Sequence, residues 1–323
     1  MNIVKIKQKH VLQNPHLYNS ASHPPNSLLT TLPSLGVQEP PETSSIRYSF
    51  WHPLILDTQH VDRKTVRIVD LTSAYARLLI GASESGILKG RKPESYKIDL
   101  PDRGFFDQIF RHPSRSPQGY FLRFDTTSAK DGVAAHRPLK SPLDIIERLV
   151  TSRRALNAIR DCFNESQPIR LYLIPFDPTF DTRNEYRCFS APISPICPSP
   201  RLTAISQYHC TERSHHPTSP HFLASLLRKI QTLHHHILEH AQLFSPRVAG
   251  SLRDHGFVFD VRCLPDAAEV QLIDLNEFGV AGHCGSALFH WVTDAELLYG
   301  GRREVEIRVV DAKSKRESLC FWR

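Results

Sequence analysis

With 323 residues, 40% of them hydrophobic, the chain is long enough to bury one large core or two moderate ones, since single cores stop growing near about 250–300 residues. Its formal net charge of +7 favours anionic partners, but no run of five Lys or Arg occurs, so a nucleic-acid surface is not expected. No apolar stretch reaches the roughly 18 residues that cross a bilayer, the N-terminus lacks the apolar core of a secretory signal, and seven scattered cysteines form no C-x-x-C pair, so a reducing, cytoplasmic location is expected.

Residues 1–45 are rich in Ser, Pro, Asn and His and carry few grouped apolar side chains. Such a segment cannot offset its ordering entropy by burial, so disorder is expected there. An N-terminal lobe is expected over 46–168, anchored by "YSFWHPLIL" through Phe50, Trp51, Leu54 and Ile55. "TVRIVDL" reads as a strand, "SAYARLLIGA" and "FFDQIF" as helices, and "GYFLRFD" as an aromatic-rich strand running into the loop "TTSAKDG". Ser141 is placed to cap the next helix, with Pro142 at its first position and Asp144 in its first turn.

A C-terminal lobe is expected over 169–323, beginning with the strand "IRLYLIPF". "EYRCFSAPI" and "RLTAISQYH" should pair as an antiparallel hairpin across a Pro/Ser-rich turn. "HFLASLLRKIQTLHHHILEHAQLF" places Phe222, Leu226, Ile230, Leu233, Ile237 and Phe244 on one helical stripe. "GFVFDVRCLPDAAEVQLIDLNEFG" reads as two strands joined at Pro265-Asp266. No repeat, heptad or long apolar stripe calls for self-association, so a monomer is expected. The class is α+β with mixed or antiparallel sheets, because strands and helices do not alternate as βαβ units.

The last hairpin raises a question, because its apolar strands carry Asp260, Asp274 and Asn276. Asp274 and Asn276 are two residues apart and share a face. They are either satisfied polar groups at a strand end or, with Asp260, a hard oxygen-only cluster of the kind Mg²⁺ takes beside phosphates. Arg123 sits between aromatics and either has a buried partner or lines a cleft. Thr126, Thr127, Ser128, Lys130 and Gly132 suit a phosphate-covering loop, and equally a surface turn. Glu185 and Arg187 share a strand face: they form an ion pair on a solvated surface, or in a cleft Arg187 neutralises phosphate while Glu185 holds it or a second metal. His236, Glu239 and His240 match an H-x-x-E-H zinc spacing, but their helix gives no third ligand and a polar helix edge is the better account.

In order and spacing, "GYFLRFDTTSAKDG", "EYRCFSAPI", "LTAISQYH", "FVFDV" and "LIDLNEFG…SALFHW" together resemble the cell division cycle protein 123 family, over about Tyr48 to Val310. The resemblance implies an ATP-grasp-like fold of two α+β lobes with ATP between them. It implies that Asp260, Asp274 and Asn276 carry the nucleotide's Mg²⁺, and that backbone groups of Leu173, Ile174 and Pro175 read the adenine edge. Arg123, Thr127, Ser128, Lys130, Glu185 and Arg187 would complete the nucleotide site. It also implies an assembly chaperone for eukaryotic translation initiation factor 2, docking on that factor's gamma subunit.

The chain departs from the family pattern in ways that suit a diverged paralogue. Arg123 replaces a family Lys, Thr126 replaces an aromatic, and "SQYH" puts Tyr208 where the family has a cation. "VAGHCG" follows "DLNEFG" in place of the family's Thr-Asp. The alternative is an ATP-grasp enzyme, a carboxylate-amine ligase or small-molecule kinase with a changed acceptor, in which Arg187 and Lys130 stabilise charge on the transferred phosphoryl group. No catalytic residue is assigned.

Overall fold

The computed structural model describes residues 1–19, 43–90, 103–280 and 284–311. In chain order these begin with β1 (Asn2–Ile6), α1 (Gln8–Gln13), α2 (Tyr48–Thr58), β2 (Arg67–Leu71), α3 (Ser73–Lys89) and α4 (Arg103–Arg111). Next come β3 (Tyr120–Phe124), α5 (Pro142–Thr151), α6 (Arg153–Asn164), β4 (Ile169–Pro175), β5 (Glu185–Ala191) and β6 (Arg201–Gln207). The chain continues through α7 (Pro220–Phe244), α8 (Pro246–His255), β7 (Phe257–Cys263), β8 (Val270–Asn276), α9 (Ala295–Leu298) and β9 (Glu306–Val310). Among the described residues no helix is long and apolar enough to cross a membrane.

Two compact units result, one of His60–Phe180 and one of Met1–Gln59 with Asp181–Arg323. In the first, an antiparallel sheet of order β2-β4-β3 packs Leu71, Leu122, Phe124, Leu171 and Leu173 against apolar residues of α3, α5 and α6. β4, expected to open the C-terminal lobe, is the central strand of this small sheet, because both of its edges find partners within 60–180. The start of α5 follows the sequence signal. Ser141 Oγ accepts the Asp144 N–H at 3.3 Å while Asp144 Oδ2 accepts the Ser141 N–H at 2.8 Å, a reciprocal capping box with Pro142 behind it.

The second unit is built on a mixed sheet of order β1-β9-β6-β5-β7-β8. The hairpins β5–β6 and β7–β8 form as the sequence predicts. β1 is a departure from the expected disorder of residues 1–45. Asn2–Ile6 runs parallel to β9 over its whole length, and Ile6 and Val11 are buried against Leu288 and Val310. The ordering entropy is offset by backbone and apolar partners some 300 residues away, for which the local sequence holds no signal. The remainder of that Ser/Pro-rich stretch, 20–42, lies outside the described residues. On α7, Phe222, Leu226, Ile230, Leu233 and Ile237 are buried as the stripe requires, whereas Phe244, in the helix's last turn, is 69% exposed.

Candidate functional site

β-sheet register decides which side chains stand beside one another, and in the large sheet it assembles a lateral row of polar residues. Arg308 on β9 is opposite Ser206 on β6, Ser206 is opposite Arg187 on β5, Arg187 is opposite Asp260 on β7, and Asp260 is opposite Asp274 on β8. Asn276, two residues beyond Asp274, lies on the same face. A register shift between Asp260 and Val261 passes over Ile273, so the ladder from Val261 to Cys263 runs one residue out of step with the Val258–Asp260 end, and Asp260 meets Asp274.

Arg187 and Asp260 are both buried and form a bidentate pair, Nε to Oδ1 at 2.8 Å and Nη2 to Oδ2 at 2.7 Å. Asn276 Nδ2 donates a further bond to Asp260 Oδ2 at 3.2 Å. Arg187 Nη1 donates to the Gly285 carbonyl at 2.6 Å, and the guanidinium lies 4.9 Å from the centre of the Tyr208 ring. Burial opposes the Arg187 charge, but the Asp260 carboxylate outweighs it and its pKa is raised well above the ordinary arginine value. Arg187 therefore orients Asp260, and its own charge is already matched. Glu185, two residues before Arg187 on β5, stands opposite Arg262 on β7.

The same face is covered by the segment after β8. Phe278, Val280, Cys284, Phe289, Trp291, Leu298 and Tyr299 pack on Phe189, Ala204 and Val258. The polar row ties this cover down: Ser206 Oγ accepts the Leu288 N–H at 2.9 Å, and Arg308 donates to the Leu288 carbonyl at 3.1 Å and to both oxygens of Asp294. Burial pushes the Cys284 thiol up to about 12, with Arg187 pulling the other way, so it stays protonated among these charges.

Whether this cluster suits a divalent ion turns on what its oxygens already do. Asp260 Oδ2 accepts two hydrogen bonds and Oδ1 one, so Oδ1 keeps a lone pair. Asp274 is half-buried, and its Oδ1 accepts the Leu275 N–H at 3.1 Å. Asn276 uses its amide nitrogen on Asp260 and retains its oxygen as an acceptor. Two carboxylates and an amide oxygen on one sheet face fit a hard, oxygen-seeking ion such as Mg²⁺.

The remaining sequence-nominated residues lie on the His60–Phe180 unit. Arg123 is buried on β3, on the sheet face turned from that unit's core, where its neighbours are Phe121, Tyr172 and Ile174. Leu173 points into the core, and Ile174 and Pro175 continue past the end of the β2 pairing. Pro175 has no N–H, so its backbone offers only an acceptor. β3 runs antiparallel to β4, so the loop after Phe124 and the Pro175 end of β4 lie about 13 Å apart along the ladder, at roughly 3.3 Å per residue.

The loop itself is fixed by cations on α5 and α6 that sequence reasoning missed. Arg148, buried in α5, donates to the carbonyls of Val133, Ala134, Ala135 and Arg137. Arg154 Nε donates to the Ser128 carbonyl at 2.9 Å and its Nη2 to Thr127 Oγ1 at 2.5 Å. Asp131 accepts from Ser152 Oγ and the Arg154 N–H. The close approach at Gly132 is to these helices, since a Cβ there would come within 2.8 Å of Arg148 Cδ and 2.9 Å of its carbonyl. Lys130 is exposed.

The zinc-like trio separates on α7. His236 and Glu239 are exposed, Glu239 pairs with His235 at 3.1 Å, and His240 packs among Phe50, Trp51 and Phe244. Ser206, Arg308 and Asp294 also escaped the sequence reading. The alternation of Glu306 and Arg308 was the available signal, and it showed a shared face without showing what lay beside it.

No family model matches the chain, and no curated protein matches its sequence. Among solved structures it is similar to C-terminally truncated Cdc123 from Schizosaccharomyces pombe, with a TM-score of 0.56 and 16% identity, over 84% of this chain and 97% of that one. Cdc123 from the same organism matches with a TM-score of 0.53 at the same identity and coverage. The mixed sheet, the smaller antiparallel sheet and their helices are thus a known arrangement: the chain has the α+β, ATP-grasp-like fold of Cdc123.

Proposed function

We propose that this protein binds ATP with Mg²⁺ and acts as a cytoplasmic assembly chaperone for eukaryotic translation initiation factor 2, docking on its gamma subunit. The observation that carries the reading is the Asp260–Asp274–Asn276 cluster, gathered by sheet register on a fold shared with Cdc123. Asp274, Asn276 and the spare lone pair of Asp260 would hold the ion, which when bound neutralises phosphate charge. Arg187 orients the Asp260 carboxylate through its two hydrogen bonds. Within the His60–Phe180 unit, Arg123 is a buried cation and Lys130 an exposed one, while Thr127 and Ser128 are held in place by Arg154. The backbone at Ile174 and Pro175 is the candidate reader of the adenine edge.

Calorimetry with ATP in the presence and absence of Mg²⁺, followed by capture of the purified gamma subunit in the same two conditions, tests the reading. Saturable ATP binding that needs Mg²⁺, with capture of the subunit, is the expected result. Absence of nucleotide binding removes the first half and absence of capture the second. ADP release that depends on an added acid-plus-amine pair would turn the reading into the ligase alternative.

A further inference from the structure

The N-terminal segment reaches the same cluster from the far side of the cover. After β1 and α1, His10 Nδ1 and Tyr18 Oη are 2.8 Å apart, and Tyr18 packs against the apolar group containing Ala287 and Leu288. Asn19 then makes two bonds to one residue: its N–H donates to the Ala287 carbonyl at 2.6 Å, and its Oδ1 accepts the Ala287 N–H at 3.3 Å. Both residues are in the left-handed region, Asn19 at φ 46° and Ala287 at φ 53°. That conformation is tolerable for asparagine but costs alanine roughly 1–2 kcal/mol, so the turn at Ala287 persists only if its surroundings impose it.

Gly285 shows how tight the contact is. A Cβ at this position would lie 2.4 Å from Asn19 Oδ1 and 3.7 Å from Arg187 Nη1, so the residue is caught between the N-terminal segment and the cluster. Its carbonyl is the one that receives Arg187 Nη1. A continuous set of contacts therefore runs from Asn19 through Ala287 and Gly285 to Arg187, and from Arg187 to Asp260 and Asn276.

We propose that Asn19 is a positioning residue for the oxygen cluster: by clamping the strained turn at Ala287 it holds the Gly285 carbonyl on Arg187 and so fixes the guanidinium that orients Asp260. The N-terminal strand and helix then belong to the functional unit as a strap completing the site. The consequence for cation affinity rests on the Mg²⁺–ATP reading above. The positioning itself does not.

The test uses the full chain and the variants Asn19→Ala, Asn19→Asp and Gly285→Ala. The Arg187 Nε–H proton, identified by its loss in Arg187→Lys, is followed by hydrogen exchange in ¹⁵N spectra without ligand. Asn19→Ala is expected to speed its exchange and that of the Ala287 amide, while Asn19→Asp, which keeps the acceptor oxygen, restores both. Mn²⁺ titrated in the presence of ATP should bind Asn19→Ala about 10-fold more weakly, the lower end for loss of an outer-shell contact. Gly285→Ala should give a similar loss, and the double variant Asn19→Ala/Gly285→Ala little more, because both break one contact. An unchanged Arg187 Nε–H exchange rate in folded Asn19→Ala overturns the proposal. If the unaltered protein binds no Mn²⁺–ATP, the functional reading fails, and the strap still stands or falls on the guanidinium signal.

Discussion

Arg187 and Asp260 face each other across adjacent antiparallel strands, and the planar guanidinium takes both carboxylate oxygens at 2.7 and 2.8 Å with less than a tenth of either side chain exposed. A buried pair of this kind orders its surroundings more surely than it stabilises them, because desolvation offsets much of the attraction. Either single change, Arg187→Met or Asp260→Leu, leaves one unmatched buried charge and is expected to cost about 3–5 kcal/mol. The double variant should cost distinctly less than the sum of the two. Urea unfolding of all four proteins checks this, and additive losses would mean that the pair does not act as a unit.

Asp274 stands at the edge of this arrangement, half-buried on the last strand of the sheet, with its Oδ1 accepting the Leu275 N–H at 3.1 Å. Asp274→Ala should therefore leave thermal stability nearly unchanged while weakening Mg²⁺-dependent ATP binding by more than the roughly 10–100-fold typical of outer-shell changes. Calorimetry beside a thermal melt separates the two effects. A large fall in melting temperature with nucleotide affinity intact would assign Asp274 to structure instead.

His234 gives the fold an acid dependence independent of any ligand. It lies in α7 with Nε2 2.8 Å from Ser190 Oγ and its ring stacked on Phe257 at 5.5 Å, and burial, helped by His235, lowers its pKa from 6.5 to about 4. The native state holds it neutral while the unfolded chain protonates it at the ordinary value. The associated stability is complete above pH 6.5, falls as the pH drops from 6.5 towards 4, and is flat below that, where both states carry the proton. At about 1.4 kcal/mol per pH unit the loss approaches roughly 3 kcal/mol. Urea midpoints across this range should lose that slope in His234→Gln.

Arg148 is the keystone of the loop after β3. Its guanidinium serves the carbonyls of Val133, Ala134, Ala135 and Arg137, and burial lowers its pKa while Asp144 and Glu147 pull it back up. Arg148→Leu is expected to destabilise the protein by at least about 2 kcal/mol, the order expected for buried acceptors left without a donor. Hydrogen exchange should quicken first at the Val133 amide, which donates to Thr151 Oγ1 at 3.0 Å. Gly132→Ala should loosen the same loop through its clash with Arg148.

Much of this was legible locally. Ser141, Pro142 and Asp144 announce the start of α5 because a capping box is completed within four residues. The β7–β8 hairpin is written in alternating apolar residues around Pro265, and Asp274 and Asn276 share a face by their spacing, but the register next to the turn would set Asp260 opposite Ile273, and only the shift between Asp260 and Val261 brings Asp274 beside Asp260. The smaller antiparallel sheet was harder, since β4 is a good strand wherever it is placed and only its pairing with β2 and β3 assigns it to 60–180.

What the residues by themselves determined is the alphabet of this protein: its class, its helix starts, its hairpins and the oxygen-bearing positions on one strand face. Tertiary structure alone decided who stands beside whom. Period-two alternation tells a side chain which face to take but not its lateral neighbour, so Arg308, Ser206 and Arg187 became one row only when parallel β9 paired with β6. The N-terminal strand is the plainest case. Its partner strand is some 300 residues away, and a contact of that span leaves no mark on the local sequence because its free energy comes from burial and hydrogen bonds to residues remote in the chain.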